Sequence, residues 1–277
     1  MDVKLPFGLK NGEIIDISKV VSGLKCECVC PNCKSPLIAR KGSKTIHHFA
    51  HYKAPECKFA YETAIHLMSK KIFEKHKRIK VPEVEILIGK NYFKHYTLYY
   101  ENYVNFDLVT TEKKLENIVP DIILEVNGKK LLVEIAVTHF IDDSKNKKIH
   151  PHKFSTIEID LSKEKRDINE EYLTEILIDK LDNKKWIYNA KWNLITEKVK
   201  KFAEPFKLVQ RSLTLHIDDC PIKSRIWKGK IYANFYDDCQ GCTYYFGERG
   251  YNEIYCTGNH KNTVDEILNH YIKKGSR

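Results

Sequence analysis

The sequence has no long apolar run, and this absence argues against a membrane-spanning helix. Such a helix needs roughly 20 consecutive apolar residues, whereas the best run here, Leu131 to Val137, is short and is interrupted by Glu134. Residues 1–10 also lack the apolar segment of a secretory signal. We therefore expect a protein of the cytoplasm that has no membrane partner.

Glycine-rich phosphate loops, internal repeats and low-complexity segments are missing as well. Without a glycine pattern that can cradle nucleotide phosphates, neither an ATPase nor a dinucleotide-dependent enzyme is supported. The 277 residues, of which 42% are hydrophobic, suffice for one full core and small accessory modules.

The net charge is strongly positive, with 47 Lys and Arg against 37 Asp and Glu, or +10 at pH 7. Basic residues that neutralise phosphates release counterions, so this charge favours a nucleic-acid partner. The basic residues are spread along the chain, however, and a merely solvated basic surface is the competing interpretation. No basic amphipathic helix with a large apolar face stands out, which disfavours a membrane surface as partner.

The nine cysteines fall into two groups, at residues 26–57 and 220–256. No cysteine lies between Cys57 and Cys220, whereas scattered disulfides would not usually segregate in this way. In a cytoplasmic protein such groups indicate metal sites before disulfides.

The first group predicts a structural zinc site. A C-x-x-C turn presents two thiolates to one metal, and a later His and Cys can complete a tetrahedral set of ligands. From the runs C-P-N-C at 30–33 and H-H-F-A-H at 47–51, the predicted ligands are Cys30, Cys33, His51 and Cys57. The alternative ligands, which spacing and strand alternation leave open, are His48, Cys26 and Cys28. Buried reduced cysteines beside an incidental histidine cluster would need no metal at all.

The second group predicts another structural zinc, in a ribbon-like module at residues 215–277 that ends in a helix. Its spacing is C-x18-C-x2-C-x13-C, and its predicted ligands are Cys220, Cys239, Cys242 and Cys256. Each zinc would have four protein ligands and no open position, so neither site is catalytic. The dense aromatic residues of this module fit its own small core, and with nearby basic residues they also fit base stacking and phosphate contacts.

The pattern of apolar residues predicts a mixed α/β core. Residues 13–20 predict a strand and residues 58–77 an amphipathic helix. A block rich in β-forming residues predicts strands at 84–89, 95–100, 104–110, 119–126 and 130–138. Asn127-Gly128 predicts a tight hairpin between the last two. The remaining core elements are a helix at 142–150, a strand at 154–161 and a helix at 169–181.

Four segments follow from these elements. An N-terminal strand and zinc-finger-like segment precede the core, and a polar, partly helical connector joins the core to the C-terminal module. The predicted bounds are 1–57, 58–182, 183–214 and 215–277.

Two acidic residues predict a second kind of metal site in the core. Asp121 opens one strand and Glu134 lies in the middle of the next, so a tight hairpin brings both carboxylates together. With the backbone carbonyl of Ile135 they form a hard oxygen site for Mg²⁺ or Mn²⁺, which polarises a phosphate and lowers the pKa of an attacking water. An acid within the run LLVEIAV is costly to bury unless it is paired, protonated or metal-bound. The competing interpretation places Glu134 on the exposed face of its strand.

The order of these motifs resembles the N-terminal half of the competence protein CoiA family. The resemblance covers roughly residues 24–160, through C-P-N-C, H-H-F-A-H, the helix motif E-T-A-I-H-L-M-S-K at 62–70, and P-D followed by E-I. It implies a zinc-finger-like segment joined to a PD-(D/E)xK nuclease domain of the restriction-endonuclease-like fold, in which helices flank a mixed central sheet. Such domains cleave DNA phosphodiesters with a divalent metal.

The resemblance also implies roles for individual residues. Asp121 and Glu134 would bind the metal, and Glu62 would hold a metal-bound water or a second cation beside them. A basic residue normally stands two positions after the glutamate, where it stabilises charge on the phosphate, but this position is Ala136 here. The candidates for the missing cation, or for positioning water or phosphate, are Lys70, Lys145 and His139.

The sequence therefore predicts a Mg²⁺- or Mn²⁺-dependent DNA nuclease with two structural zinc ions, acting in DNA uptake or in defence against foreign DNA. Position 136 leaves open a degenerate nuclease core that binds DNA without cutting it. A third interpretation is a zinc-stabilised adaptor in which Asp121 and Glu134 face solvent. The choice between single- and double-stranded DNA stays open, and the C-terminal module is a candidate site for a protein partner.

Overall fold

The structure is a computed structural model, and it describes residues 4–88, 94–111, 113–115, 118–137, 153–165 and 167–275. Contacts divide the chain into two compact units, Met1–Pro82 with Glu101–Asn189 and Glu83–Tyr100 with Ala190–Arg277. The second unit therefore includes residues 83–100, which the sequence placed in the nuclease-like core. In the described part of the chain, none of the helices has the length and apolar character needed to cross a membrane.

The first unit begins with two antiparallel hairpins. Their strands are β1 (Phe7–Lys10), β2 (Glu13–Asp16), β3 (Leu37–Arg40) and β4 (His48–His51). The strand predicted at 13–20 ends early, because the Asp16 carboxylate accepts a hydrogen bond from the Ser18 amide and caps a 3₁₀ turn. Both hairpins contribute to the main core of the unit, through Phe7 and Phe49 among others.

Helix α1 (Ala60–His76) confirms the amphipathic helix predicted at 58–77. Its apolar residues recur on one face at helical spacing, and the fully buried ones are Ala64, Ile65, Met68 and Phe73. The helix ends at Lys77, whose left-handed backbone (φ 53°) lets its amide reach the Phe73 carbonyl. The apolar face packs into one core with the central sheet and with helix α2 (Glu170–Ile178).

After α1 the chain forms two more antiparallel pairs, one in each unit. The strands are β5 (Arg78–Val81), β6 (Val84–Ile88), β7 (Lys94–Tyr99) and β8 (Asn102–Asn105). β5 pairs with β8 in the first unit, and β6 pairs with β7 in the second. The single strand predicted at 104–110 is in fact β8 and β9 (Leu108–Thr111). It is divided because two successive amides bond in different directions. The Phe106 amide donates to the carbonyl of Lys77, whereas the Asp107 amide donates to the carbonyl of Glu125, in a strand of the next sheet.

A five-stranded mixed sheet forms the centre of the first unit, and the predicted mixed α/β class is confirmed. Its further strands are β10 (Ile122–Val126), β11 (Lys129–Ala136), β12 (Ser155–Asp160) and β13 (Lys184–Tyr188). The order across the sheet is β13-β12-β11-β10-β9, with β11 and β12 parallel and the other neighbours antiparallel. Asn127 and Gly128, at φ 49° and 72°, make the predicted tight turn between β10 and β11.

Strand β11 is buried on both faces of this sheet. Val133 and Ile135 lie in the main core with α1 and α2, whereas Leu132 packs with Ile123 in a second cluster. A strand covered on both sides has a continuous apolar run rather than an alternating one, which explains the run LLVEIAV. Because successive side chains point to opposite faces, Glu134 lies on the same face as Leu132 and away from α1.

The two other helices predicted for the core, at 142–150 and 169–181, have different outcomes. The helix predicted at 142–150 lies outside the described residues, and so do Lys145 and His139. Helix α2 corresponds to the helix predicted at 169–181 and begins after Asn169, whose side chain accepts a hydrogen bond from the Tyr172 amide.

Among its described residues, the second unit has two α-helices, the β6–β7 hairpin and two further small sheets. The β6–β7 hairpin and α4 both contact helix α3, the helices being α3 (Ala190–Phe202) and α4 (Val264–Gly275). One sheet has the order β14-β20-β19 and the other β15-β16-β18-β17. Their strands are β14 (Glu204–Lys207), β15 (Val209–Arg211), β16 (Thr214–Asp218), β17 (Arg225–Trp227), β18 (Lys230–Asn234), β19 (Tyr245–Arg249) and β20 (Glu253–Cys256).

Replacing Ile65 by alanine should lower the free energy of unfolding by about 2–5 kcal/mol, because a fully buried side chain then leaves a cavity under α1. Ile46 is 47% exposed, and the same substitution there should change the free energy by less than about 0.5 kcal/mol. Urea denaturation followed by circular dichroism measures both variants. Equal effects at the two positions would contradict the packing of α1 on the sheet.

Candidate functional site

The first cysteine group converges just before α1. Cys30 and Cys33 lie on a tight turn, in which the Cys30 amide donates to the Ser35 carbonyl (2.8 Å) and the Lys34 amide to the Cys30 carbonyl (3.1 Å). Within the described residues, Cys30, Cys33 and Cys57 are the single group of three or more possible ligands whose atoms all lie within 4.8 Å of one another. The three sulfurs can hold a metal such as zinc.

A histidine stands beside these three thiols. The Nε2 atom of His51, at the end of β4, lies 3.3 Å from the Sγ atom of Cys33. The Nδ1 atom of His48 lies instead 2.8 Å from the carbonyl of Ile46. The side chain of Asn32 donates a hydrogen bond to the Cys57 sulfur at 2.9 Å. The geometry therefore favours His51 over His48 as a fourth ligand.

The two remaining cysteines of this group belong to the apolar core. Cys26 is 0% exposed and Cys28 is 2% exposed. The Cys26 sulfur lies 3.3 Å from the Leu37 carbonyl, and the Cys28 sulfur lies 3.3 Å from the Cys26 carbonyl. Burial, together with the neighbouring Cys26, raises the pKa of the Cys28 thiol to about 12. Both side chains act as core residues and lie outside the group of three thiols.

We call the group of Cys30, Cys33 and Cys57 the metal cluster, because it can hold a metal ion. Its thiols differ in their pKa. The Ser35 hydroxyl, 3.4 Å from the exposed Cys33 sulfur, lowers the pKa of Cys33 to about 6. Burial raises the pKa of the Cys30 thiol to about 11. Without a metal, Cys33 therefore loses its proton more readily than Cys30 does. A metal that binds both must displace the proton of Cys30.

The second cysteine group lines one small cavity in the second unit. The cavity has a volume of about 20 Å³, and apolar side chains form most of its remaining wall; its cysteines are Cys220, Cys239, Cys242 and Cys256. Burial and the neighbouring thiols raise the pKa of Cys239 to about 12 and that of Cys256 to about 11. The Gly258 amide donates to the Cys256 sulfur at 3.4 Å. These sulfurs stand further apart than those of the first group, since they do not all lie within 4.8 Å of one another.

Asp121 and Glu134 lie on neighbouring strands of the central sheet. Asp121 immediately precedes β10, and its Oδ2 atom accepts a hydrogen bond from the Ile135 amide at 2.8 Å. The antiparallel register pairs Ile122 with Val133, so one further step places Asp121 opposite Glu134. Glu134 is only 3% exposed. The interpretation in which Glu134 faces solvent is therefore wrong, because both faces of β11 are covered.

Helix α1 brings one polar side chain to the same end of these strands. The Nε2 atom of His66 lies 3.4 Å from the Ile135 carbonyl and 3.8 Å from Oδ2 of Asp121. Sequence reasoning placed His66 in the helix motif without giving it a role. The sequence signal for His66 was its position four residues from both Glu62 and Lys70. This spacing puts Glu62 and Lys70 about 6 Å from His66 along the helix axis, one on each side. Lys70 makes an ion pair with Glu74 at 3.8 Å.

Two more buried residues lie near the carboxylates, Ala136 on β11 and Glu158 on β12. Ala136 is 3% exposed and pairs with Asp160 of β12, so the usual place of the basic residue is buried. Sequence reasoning missed Glu158, which is 1% exposed and pairs with Glu134 in the parallel register. Its Oε1 atom lies 2.6 Å from the Nζ atom of Lys185 on β13. The signal was a glutamate between two isoleucines of a predicted strand.

Replacing Ser35 by alanine should slow the alkylation of Cys33 by iodoacetamide at about pH 7, because loss of the hydroxyl raises the pKa of Cys33 and reduces its thiolate fraction. Mass spectrometry of the peptide that contains Cys33 measures the rate in metal-free protein. Added zinc should block the reaction in the wild-type protein, because the bound thiolate is no longer free. Equal labelling of the two metal-free proteins would contradict the role of Ser35.

A comparison with protein-family models gives one match, which covers residues 18–60 and is described as competence protein CoiA, N-terminal domain. A search of curated proteins found no significant match, and neither did a search of solved structures. The matched segment contains Cys30, Cys33, His51 and Cys57, so it coincides with the metal cluster. Residues 18–60 are therefore similar to the N-terminal domain of competence protein CoiA.

Proposed function

We propose that the first unit is a Mg²⁺- or Mn²⁺-dependent nuclease that cleaves DNA, built on a restriction-endonuclease-like core. The CoiA match itself supports a competence-related function, without specifying the reaction. The observation that carries the proposal is the position of Asp121 just before β10, one step beyond the Ile122–Val133 pair and so opposite Glu134 of β11. The charge of +10 favours a polyanionic substrate.

The oxygen atoms at this place suit a hard divalent cation. Asp121 and Glu134 offer carboxylates, and Mg²⁺ typically binds one or two protein carboxylates and keeps several waters. The Ile135 carbonyl, the third predicted ligand, has two lone pairs and can accept from His66 and still face a cation. When bound, such a cation polarises the scissile phosphate and lowers the pKa of the attacking water.

The protein groups around the carboxylates have distinct tasks in this proposal. The Ile135 amide of β11 donates to Oδ2 of Asp121 at 2.8 Å, and this hydrogen bond orients the Asp121 carboxylate. His66, 3.8 Å from that carboxylate, is placed to orient the phosphate or the attacking water. Glu62, one turn before His66, holds a metal-bound water or a second cation, as the family resemblance implies.

We also propose a DNA-contact surface within the second unit. Trp227 is 63% exposed and Ile226 is 66% exposed, both on the edge strand β17. The Nζ atom of Lys228 lies 4.8 Å from the centre of the Trp227 ring. An exposed indole beside a cation suits stacking with a base and contact with a phosphate, a combination typical of single-strand binding.

A second candidate function is DNA binding without cleavage, and position 136 favours it. Ala136 cannot supply the positive charge that stabilises the transition state at a phosphate. Ala136 is also buried, at 3% exposure. An adaptor without chemistry is less well supported, since burying Glu134 is costly for a fold that makes no use of the carboxylate.

Replacing Asp121 by alanine or Glu134 by glutamine should reduce DNA cleavage on the order of 100-fold or more, because each change removes a charge that acts directly on the reacting centre. Glu125→Gln on β10 is the matched control, since Glu125 pairs with Lys130 at the other end of the strand. Cleavage of single- and double-stranded DNA is measured with Mg²⁺ and with Mn²⁺. DNA binding by a wild-type protein that never cuts with either ion would reject the nuclease and support the second candidate.

The purified protein should contain two zinc ions per chain, one at each cysteine group. Cys57→Ser and Cys256→Ser should each remove one zinc, because each loses a thiolate ligand. Cys26→Ala should keep both, since Cys26 lies outside the metal cluster. Elemental analysis of protein prepared without chelator gives the count, and a wild-type value well below one would exclude both sites.

A further inference from the structure

Charged side chains form a row across four strands of the central sheet. Glu134 of β11 pairs with Glu158 of β12, and Glu158 pairs with Lys185 of β13. Asp121 stands one step beyond the Ile122–Val133 pair of β10 and β11, opposite Glu134. Paired residues on neighbouring strands share one face and are separated by about 5 Å. The row therefore runs Asp121, Glu134, Glu158, Lys185.

The carboxylates of this row are buried beside a lysine. Glu134 is 3% exposed and Glu158 is 1% exposed, so two carboxylates lie side by side away from water. Such carboxylates are stable as anions only beside a cation or a hydrogen-bond donor. The Nζ atom of Lys185 lies 2.6 Å from Oε1 of Glu158. The side chain of Lys185 is 61% exposed, so this charge lies where the buried row meets solvent.

The row also bears on the absence of a basic residue at position 136. Strand alternation puts Ala136 on the face of Glu134, where a nuclease of this type would carry its basic residue. Lys185 is two strands away from Glu134, and its ion pair with Glu158 brings its charge one strand nearer. Lys70, the other described candidate, lies on α1 and makes an ion pair with Glu74 at 3.8 Å. Lys185 shares the face of Glu134 through the paired strands β11, β12 and β13.

We infer that Lys185 supplies the positive charge that position 136 lacks, and that Glu158 is the residue that positions it. The inference rests on the proposed nuclease activity and assigns the missing cation within it. Lys185 contacts a non-bridging oxygen of the scissile phosphate and stabilises the charge that develops there. Glu158 acts through Lys185, whose ammonium group it holds at the boundary between the buried carboxylates and the substrate.

The test is single-turnover cleavage of DNA by the full-length protein, with DNA binding and urea denaturation measured in parallel. Lys185→Met should slow cleavage on the order of 100-fold, with the dissociation constant for DNA changed by less than about threefold. Lys185→Arg should keep most of the activity, because it keeps the charge. The matched control is Lys19→Met, since Lys19 makes a similar ion pair with Glu170 (2.7 Å, 55% exposed) away from the row.

A double variant separates catalysis from a structural ion pair. Lys185→Met removes the lysine charge beside the buried carboxylate of Glu158, and the added change Glu158→Gln removes the carboxylate charge. We expect the double variant to regain stability and to remain inactive. Recovery of cleavage along with stability would show that the pair is only structural and would overturn the inference.

The remaining outcomes separate this inference from the function on which it rests. If Lys185→Met cleaves DNA as fast as Lys19→Met, the assignment of Lys185 is wrong while the nuclease stands. If the wild-type protein binds DNA and never cuts it, the proposed function is wrong and the assignment of Lys185 is wrong with it.

Discussion

The first unit depends on the burial of β11 between two apolar layers. Val133 and Ile135 pack under α1 and α2, and Leu132 packs in the cluster on the other face. A shift of the register by one residue would exchange these faces and would bring Glu134 into the main apolar core. The tight turn at Asn127-Gly128 opposes such a shift, because it ends β10 and begins β11 at defined residues. This register also sets the positions of the charged row, which consists of Asp121, Glu134, Glu158 and Lys185.

The cysteine-bearing segment and helix α1 share one apolar core. Cys57 lies just before α1, and the Ala60 amide donates to its carbonyl. The hairpin that carries His51 buries Phe49 in the same core as Ile65 of α1. A metal held by the three thiols would therefore fix the beginning of the helix that carries His66 to the end of β10 and β11. The N-terminal domain of the CoiA type would in this way support the proposed active site without taking part in the chemistry.

Several features of the site were accessible from the sequence because they depend on local order. Spacing along the chain was enough to propose Cys30, Cys33 and Cys57, since a C-x-x-C turn directs both sulfurs to one place, but only the structure separated them from Cys26 and Cys28. The hairpin signal was enough to place Asp121 and Glu134 on adjacent strands. The choice of His51 over His48 could not be made in this way, because it depends on how β4 pairs with β3 and on which ring nitrogen meets Cys33.

The sequence by itself determined the elements of the chain: α1, the β-rich block with its Asn127-Gly128 turn, and two groups of cysteines. These are local properties, set by periodicity, turn chemistry and ligand spacing. Only the tertiary structure decided that residues 83–100 join the second unit, and that Glu134 is buried rather than exposed. It also decided that Glu158 and Lys185 stand in line with Glu134. Those outcomes depend on contacts between residues far apart in the chain, and no pattern within a single segment records which strand will lie beside another.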